Sequence, residues 1–327
     1  MTSHPGQPNA VRTTPPPDGE RRLPVDGPLD LRRTLGLHAH GRHDPAVRFE
    51  VSGSCWRATR TPDGPGTELL ELVDGGSGLR VRAWGPGAAW LVERAGSLAG
   101  LDDEPDPVIP RHPAVADAVR RLRGTRIGWT GAVLEALLPA ILEQKVTGAE
   151  AGHAYGGIMR TLGEPAPGPQ GLLVPPAAEM LAATPYHAFH PLGLERRRAE
   201  LLRAVAQEAV RLERVGAAAA GPAATPGARS AAYAALRAFP GIGPWTVAEV
   251  GMRAFGDPDA VSVGDFHLPS MVAWALAGEP RGTDDRMLEL LEPYRGQRGR
   301  VVRLLELAGA EAPRRGPRLS PRRIDGI

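Results

Sequence analysis

Three features between Leu236 and Leu268 have the residue types and spacing to do chemistry. The first is Phe239-Pro240-Gly241-Ile242-Gly243. Two glycines around one apolar residue make a tight hairpin whose backbone amides no side chain shields. Pro244, suited to a first helical position, opens a helix-forming run to Ala254. The hairpin amides therefore stand at a helix start, where free N–H groups and the dipole attract an anion such as a phosphate. Ile242 is expected to plug the gap between this helix and the preceding one, Ser230 to Ala238. The second feature is Trp245, whose ring either packs in a core or attracts a cation by ~0.5–2 kcal/mol. The third is Asp265, just before the apolar run Phe266 to Leu276. A carboxylate there is, at the least, an ordinary helix N-cap.

The elements that must position these residues are readable to either side. Ala132 to Gln144 is strongly apolar, with Val133, Leu137, Leu138, Ile141 and Leu142, and is expected to be a central core helix. Thr147 to Glu150 reads as a capping box opening a helix to about Leu162. Pro113 to Leu122, Glu195 to about Val215, Asp285 to Leu291 and Gln297 to Leu307 are further expected helices, with Gly216 to Gly227 as a linker. Arg196-Arg197-Arg198 lies at a helix N-terminus, unfavourable for cations, and reads as a solvated face or a phosphate contact. Upstream the period changes to two. Val47, Phe49 and Val51 alternate with Arg48 and Glu50; Leu79, Val81 and Ala83 alternate with Arg80 and Arg82. Turn clusters at 61–66 and 74–78 separate these runs. A small antiparallel sheet with one wet face is expected, covered on its other face by a helix from Ala88 to Leu98.

The stretch Phe239-Pro240-Gly241-Ile242-Gly243-x-Trp245-Thr246, with Asp265 twenty-two positions after Gly243, resembles the helix-hairpin-helix DNA glycosylases, and within them the AlkA-like 3-methyladenine branch. Ala140 to Thr147 (AILEQKVT) is similar to the helix–turn–helix early in that family's catalytic domain, and an N-terminal sheet also fits it. The resemblance implies an α+β protein: tail 1–20, disordered; a small antiparallel β domain, 21–108; an all-α helix-hairpin-helix glycosylase domain, 109–310; and a basic disordered tail, 311–327. The boundary falls in the Pro-rich acidic stretch 102–110.

The resemblance also implies roles. Asp265 is the expected catalytic carboxylate, stabilising an oxocarbenium-like sugar and activating water. Trp245 and Glu249 line the base pocket. Gly241, Ile242, Gly243 and Thr246 belong to the DNA-binding hairpin, with Gln144 and Lys145 facing DNA and Ile127 or Trp129 as the wedge that fills the hole left by a flipped base. A sodium or potassium ion on the backbone carbonyls of Arg237, Phe239 and Ile242 is a feature of some relatives. Lyase-competent relatives carry a Schiff-base lysine where Trp245 stands, and the one lysine of this chain is Lys145; a monofunctional enzyme that leaves an abasic site is expected. The chain departs from the pattern where further pocket aromatics are usual, at Glu249 and near Arg303. Another damaged base, or a DNA-binding damage sensor without catalysis, are the alternatives.

Composition sets outer bounds. The 327 residues suffice for two domains, and a net charge of +2 makes no global polycation. Cys55 is the single cysteine, so no disulfide within the chain and no four-cysteine iron–sulfur cluster can form; Cys55 is expected in the core. The histidines show no metal-ligand spacing, and no apolar run approaches the ~20 residues of a membrane span. Asp257 and Asp259 read as turn residues. A cytoplasmic, nucleoid-associated monomer acting on double-stranded DNA is expected.

Overall fold

The chain was analysed as a computed structural model that describes residues 15–41, 43–103 and 108–313. Both expected disordered tails fall mainly outside these residues, as does part of the 102–110 boundary. The first strand, β1 (Gly19–Pro24), begins where the N-terminal tail was expected to end.

A five-stranded antiparallel sheet comes first: β1, β2 (Val47–Phe49), β3 (Cys55–Thr61), β4 (Gly64–Val73) and β5 (Gly78–Trp84), in the order β1-β5-β4-β3-β2. A short helix, α1 (Leu31–Leu35), sits between β1 and β2, and α2 (Ala88–Leu98) follows β5. Alternation along the strands sorts the side chains. Cys55, Leu70, Leu79 and Val81 face α1 and α2, where Leu31, Leu35, Ala95 and Leu98 close the layer. Val51, expected in a strand, lies fully exposed in the turn after β2.

The other face is not simply wet. Trp56, Ala58, Leu69 and Trp84 are covered by Leu172 and Val174, from the loop 164–176. That loop forms a minimal hairpin, β6 (Glu164–Pro165) with β7 (Leu173–Val174). Arg82 on this face is paired to Glu71 at 2.7 Å, and Arg80 stands 3.9 Å from Glu20. Both arginines thus neutralise neighbours on the sheet.

The rest is helical: α3 (Pro113–Arg121), α4 (Val133–Leu142), α5 (Gly148–Leu162), α6 (Ala178–Ala183), α7 (Tyr186–Phe189), α8 (Arg196–Gln207), α9 (Ala209–Ala219), α10 (Pro226–Arg237), α11 (Pro244–Val250), α12 (Leu268–Ala277), α13 (Asp284–Leu291) and α14 (Arg298–Leu307). The apolar α4 is the hub, buried from Ala136 to Leu142. Leu137, Ile141, Phe189, Leu202, Val205, Leu236, Ile242 and Phe255 belong to its core. A second core joins α3, α12, α13 and α14 through Val115, Val272, Met287, Leu291 and Val301. The capping box of α5 is formed in both directions, Glu150 N–H to Thr147 Oγ1 (3.3 Å) and Thr147 N–H to Glu150 Oε2 (2.7 Å).

Two helical expectations need correction. The single helix from Glu195 to Val215 is two, broken at Glu208 (φ −103°, ψ 11°), so that α9 turns to lie along α10. The linker from Gly216 is helix as far as Ala219, and Gly216 is there for closeness: a Cβ on it would stand 2.2 Å from Val133 Cγ2. Arg198 is neither a solvated face nor a phosphate contact. It is buried and donates to the Leu142 carbonyl at 2.7 Å, satisfying one open acceptor at the end of α4.

Sheet and helices are joined by buried charge. Arg57 on β3 donates to Glu68 on β4 (2.7 Å) and to Glu135 on α4 (2.6 Å), and Glu135 also accepts the Thr59 hydroxyl. Burial opposes charge on Arg57, yet Glu135 and Glu68 hold its guanidinium more firmly protonated than usual.

Candidate active site

The hairpin closes where α10 ends and α11 begins. Gly241 adopts φ +110°, a conformation open to glycine and strained for other residues. Ile242 is buried in the main core, as its plug role requires. Its N–H donates to the Phe239 carbonyl at 3.0 Å. Gln144, just past the end of α4, donates its side-chain N–H groups to Gly241 O (3.1 Å) and to Thr246 Oγ1 (3.0 Å). It therefore braces both limbs of the hairpin. The Thr246 side chain is buried in this brace. Lys145 follows, exposed, on one of two non-glycine residues with positive φ among the described residues (55°).

Asp265 carries two roles on two oxygens. Oδ1 accepts the N–H groups of His267 (2.7 Å) and Leu268 (2.9 Å), which caps α12. Oδ2 accepts the indole N–H of Trp245 at 3.0 Å. The capping that a bare sequence suggests is thus real, and it fixes the carboxylate. Trp245 holds Asp265 as well as presenting a ring.

Beyond Asp265 the wall is charged. Glu249, one turn after Trp245, pairs with Arg253 and accepts the Ser262 hydroxyl at 2.5 Å. Arg253 reaches the sheet side, donating Nε–H to the Leu37 carbonyl at 3.1 Å. Arg303 on α14 abuts the same turn, its Nη2 3.9 Å from where a Cβ on Gly36 would stand. Glu306 is one turn further on and exposed, yet its surroundings push its carboxyl up to about 6: burial first, then Glu249 and Asp265, against the opposing pull of Arg303 and Arg253. Burial also raises Glu143, with Glu249 adding and Arg253 opposing. On the sheet side burial and Arg253 push His40 down to about 3, and burial, Arg57 and Arg253 lower His38, so both imidazoles are neutral.

Two of the residues singled out in the sequence stand elsewhere. Ile127 is buried, its N–H bound to Asp103 Oδ2 (2.9 Å). The Trp129 indole packs on Gly221 and Gly256 under the Arg94 guanidinium. Neither side chain is presented as a wedge. Conversely Arg253, Glu143 and Glu306 were not singled out. The spacing of Glu249 and Arg253 by four was a readable sign of a helical ion pair; Glu143 and Glu306 had none. Among the described residues no cluster of His, Cys, Asp and Glu could hold a metal ion, and no helix is long and apolar enough to cross a membrane.

No family model matches the chain. It is 28% identical over 254 residues, 76% of its length, to a Mycobacterium tuberculosis protein described as a probable bifunctional transcriptional activator/DNA repair enzyme AlkA. The chain spans about half of that relative, 49%. Its fold superposes on a 3-methyladenine DNA glycosylase from Archaeoglobus fulgidus with TM-score 0.71 at 19% identity, covering 88% of this chain and 97% of that one. It superposes on the Clostridium acetobutylicum 8-oxoguanine glycosylase/lyase bound to double-stranded DNA with TM-score 0.65 at 12% identity, covering 90% and 99%. The chain is thus similar in sequence to an AlkA-type DNA repair protein, and it shares the fold of the 3-methyladenine and 8-oxoguanine DNA glycosylases.

Proposed function

We propose that the chain is a DNA N-glycosylase that removes alkylated purines of the 3-methyladenine type and has no β-lyase activity. The observation that carries this reading is the carboxylate of Asp265, fixed by two amides and by the indole of Trp245. A purine alkylated at N3 or N7 carries a positive charge. When its C1′–N bond breaks, the bonding pair leaves with the base, which departs neutral and needs no proton. The charge passes to the sugar, where a fixed carboxylate stabilises it and takes a proton from the attacking water. One well-held acid group is therefore enough.

The grip on double-stranded DNA is assigned to the amides of Gly241, Gly243 and Thr246 at the start of α11. Gln144 supports them from behind and Lys145 stands beside them at the surface. The carbonyls of Arg237, Phe239 and Ile242 are the donors for a sodium or potassium ion. That of Phe239 already accepts one N–H and keeps a second lone pair. The protein is proposed to act as a monomer. Trp245 at the position of a Schiff-base lysine supports simple hydrolysis.

The test is mass spectrometry of bases released from alkylated, deaminated and oxidised duplexes. Wild type releases alkylated purines. Asp265→Asn lowers the single-turnover rate by roughly 10²–10³, the cost of losing a preorganised electrostatic group, while DNA affinity persists. Release of no base by wild type would leave a binding protein only. A covalent adduct trapped by borohydride would overturn the monofunctional assignment.

A further inference from the structure

A cavity of about 660 Å³ opens at the β2 edge of the sheet. Its walls come from α1 (Arg32), from β2 (Arg48 and Phe49), from the segment before β2 (Asp44) and from α5 (Arg160). Two contacts tie these walls together. The Pro45 carbonyl accepts the Leu173 N–H at 2.9 Å, and the His40 ring lies 5.0 Å, centroid to centroid, from that of Tyr155 on α5. The cations here are unmatched. Among the described residues Arg32, Arg48 and Arg160 have no carboxylate within 4 Å, whereas arginines such as Arg60, Arg196 and Arg298 are each paired to one. Neutral groups hold all three. Arg32 stacks on the Phe49 ring, its guanidinium carbon 5.1 Å from the centroid. Arg48 Nη1–H donates to Gln170 Oε1 at 2.9 Å. Arg160 folds back over Gly156, where a Cβ would stand 3.0 Å from its Nη1. Asp44 is the one carboxylate in the lining among the described residues. It is buried, and its two oxygens accept the N–H groups of His40 (2.7 Å) and Ala46 (2.8 Å).

We propose that this cavity binds a phosphate group, carried by a DNA backbone or by a free phosphate-bearing small molecule. A guanidinium donates paired N–H groups that match phosphate oxygens, and it stays charged at any working pH. Three guanidiniums around one cavity repel one another, and a bound phosphate turns that repulsion into attraction. Phe49 and Gln170 fix two of them without cancelling their charge. The cavity is distinct from the assigned grip at the hairpin. Arg160 lies twelve residues after Gly148, the first residue of α5. At ~1.5 Å per residue that is about 18 Å along the helix. The same length is about five base pairs of B-form DNA, so one duplex is long enough to reach both places. The inference rests on charge and shape and is independent of the glycosylase reading.

The test uses the full chain with Arg48→Gln and with Arg160→Gln, each checked for folding by thermal unfolding. Arg120→Gln, an exposed arginine paired to Asp117 on α3, is the control. Two probes separate the sources of phosphate. Isothermal titration calorimetry with inorganic pyrophosphate reads a free anion. Fluorescence anisotropy of an undamaged duplex across a range of salt reads a DNA backbone. If a free anion is the ligand, wild type binds pyrophosphate and each cavity variant weakens it by roughly tenfold, the loss of a hydrogen bond to a charged group, with duplex binding unchanged. If the backbone is the ligand, each cavity variant lowers the slope of log affinity against log salt by about 0.9. Either pattern supports the site. Unchanged values with both probes in either folded cavity variant would overturn it, and so would an equal loss in Arg120→Gln, which would show general charge only. Base release at saturating DNA should be the same in wild type and both cavity variants, so the loss of this site leaves the glycosylase reading standing. A wild type that releases no base leaves both binding measurements intact.

Discussion

Two charged clusters meet α4, one through Glu135 in its first turn and one at Glu143 just past its end, and they are built differently. Around Arg57 the hydrogen bonding is closed, with two carboxylates sharing one guanidinium: Glu68 and Glu135 take its two terminal nitrogens, and the other oxygen of Glu135 accepts the Thr59 hydroxyl. Arg57 and Glu68 are both almost wholly buried. Beside Asp265 the groups are half-open and the pairing is incomplete, with Glu249 and Arg253 paired and Glu143, Arg303 and Glu306 facing them without a close ion pair among the described residues. A buried cluster whose members are all hydrogen-bonded to one another acts as a joint between sheet and helices. A cluster whose pairing is incomplete contributes less to holding elements together.

The difference is sharpest in stability. Arg57→Met leaves the buried Glu68 carboxylate without its partner and Glu135 with only the Thr59 hydroxyl, and breaking such a buried pair costs about 3–5 kcal/mol. Arg303→Met removes a half-buried cation without a close ion pair and should change stability by no more than about 1 kcal/mol. Urea unfolding monitored by far-ultraviolet circular dichroism reads both. A fall of similar size for the two variants would erase the distinction between the clusters.

How far each cluster was legible in the sequence follows from how local its causes are. The hairpin glycines, Pro244 at a first helical position, the capping box at Thr147 and the apolar α4 are short-range signals, and the structure carries all of them. Asp265 was legible because its cap and its register with Gly243 are both local. The Arg57 joint spans 78 residues to Glu135, and no period or motif in one chain announces a contact across that distance. Gly216 looked like a linker because a glycine inside a helix normally weakens it; only the approach of Val133 explains it. The wedge reading of Ile127 and Trp129 failed because their loop is held inward, by Asp103 on one side and by the surfaces of Gly221 and Gly256 on the other.

Proton linkage separates the clusters again. Asp44, near the joint, is pushed up to about 6, chiefly by burial, with Glu135 adding to it; Glu306 in the other cluster is pushed to about the same value. A carboxyl whose folded pKa exceeds its unfolded one binds protons more tightly when folded. Its stabilising contribution is therefore complete below the unfolded value and is lost as pH rises, here from about 4 to about 6. For buried Asp44 the loss is about 2–3 kcal/mol. For exposed Glu306 solvent screening keeps it below about 1 kcal/mol. Urea midpoints between pH 4 and 7 should fall in wild type, flatten strongly in Asp44→Asn and only slightly in Glu306→Gln. A larger flattening in Glu306→Gln than in Asp44→Asn would reverse the contrast between the clusters.

The smallest expected effect concerns the surface beside the hairpin. Lys145 holds φ at +55°, a conformation that costs a side-chain-bearing residue roughly 1–2 kcal/mol. Glycine there would relieve that cost but would lose about 0.5–1 kcal/mol to its freer unfolded chain. Lys145→Gly should therefore raise stability by about 0.5 kcal/mol, near 1 °C in thermal midpoint at this size. Strain kept at an exposed turn braced to the hairpin by the neighbouring Gln144 fits the proposed use of the Lys145 ammonium in DNA binding. The same variant should lose about one unit of the slope of log affinity for double-stranded DNA against log salt. If stability rises and the salt slope is unchanged, Lys145 is a tolerated irregularity and the DNA face lies on the other side of the hairpin.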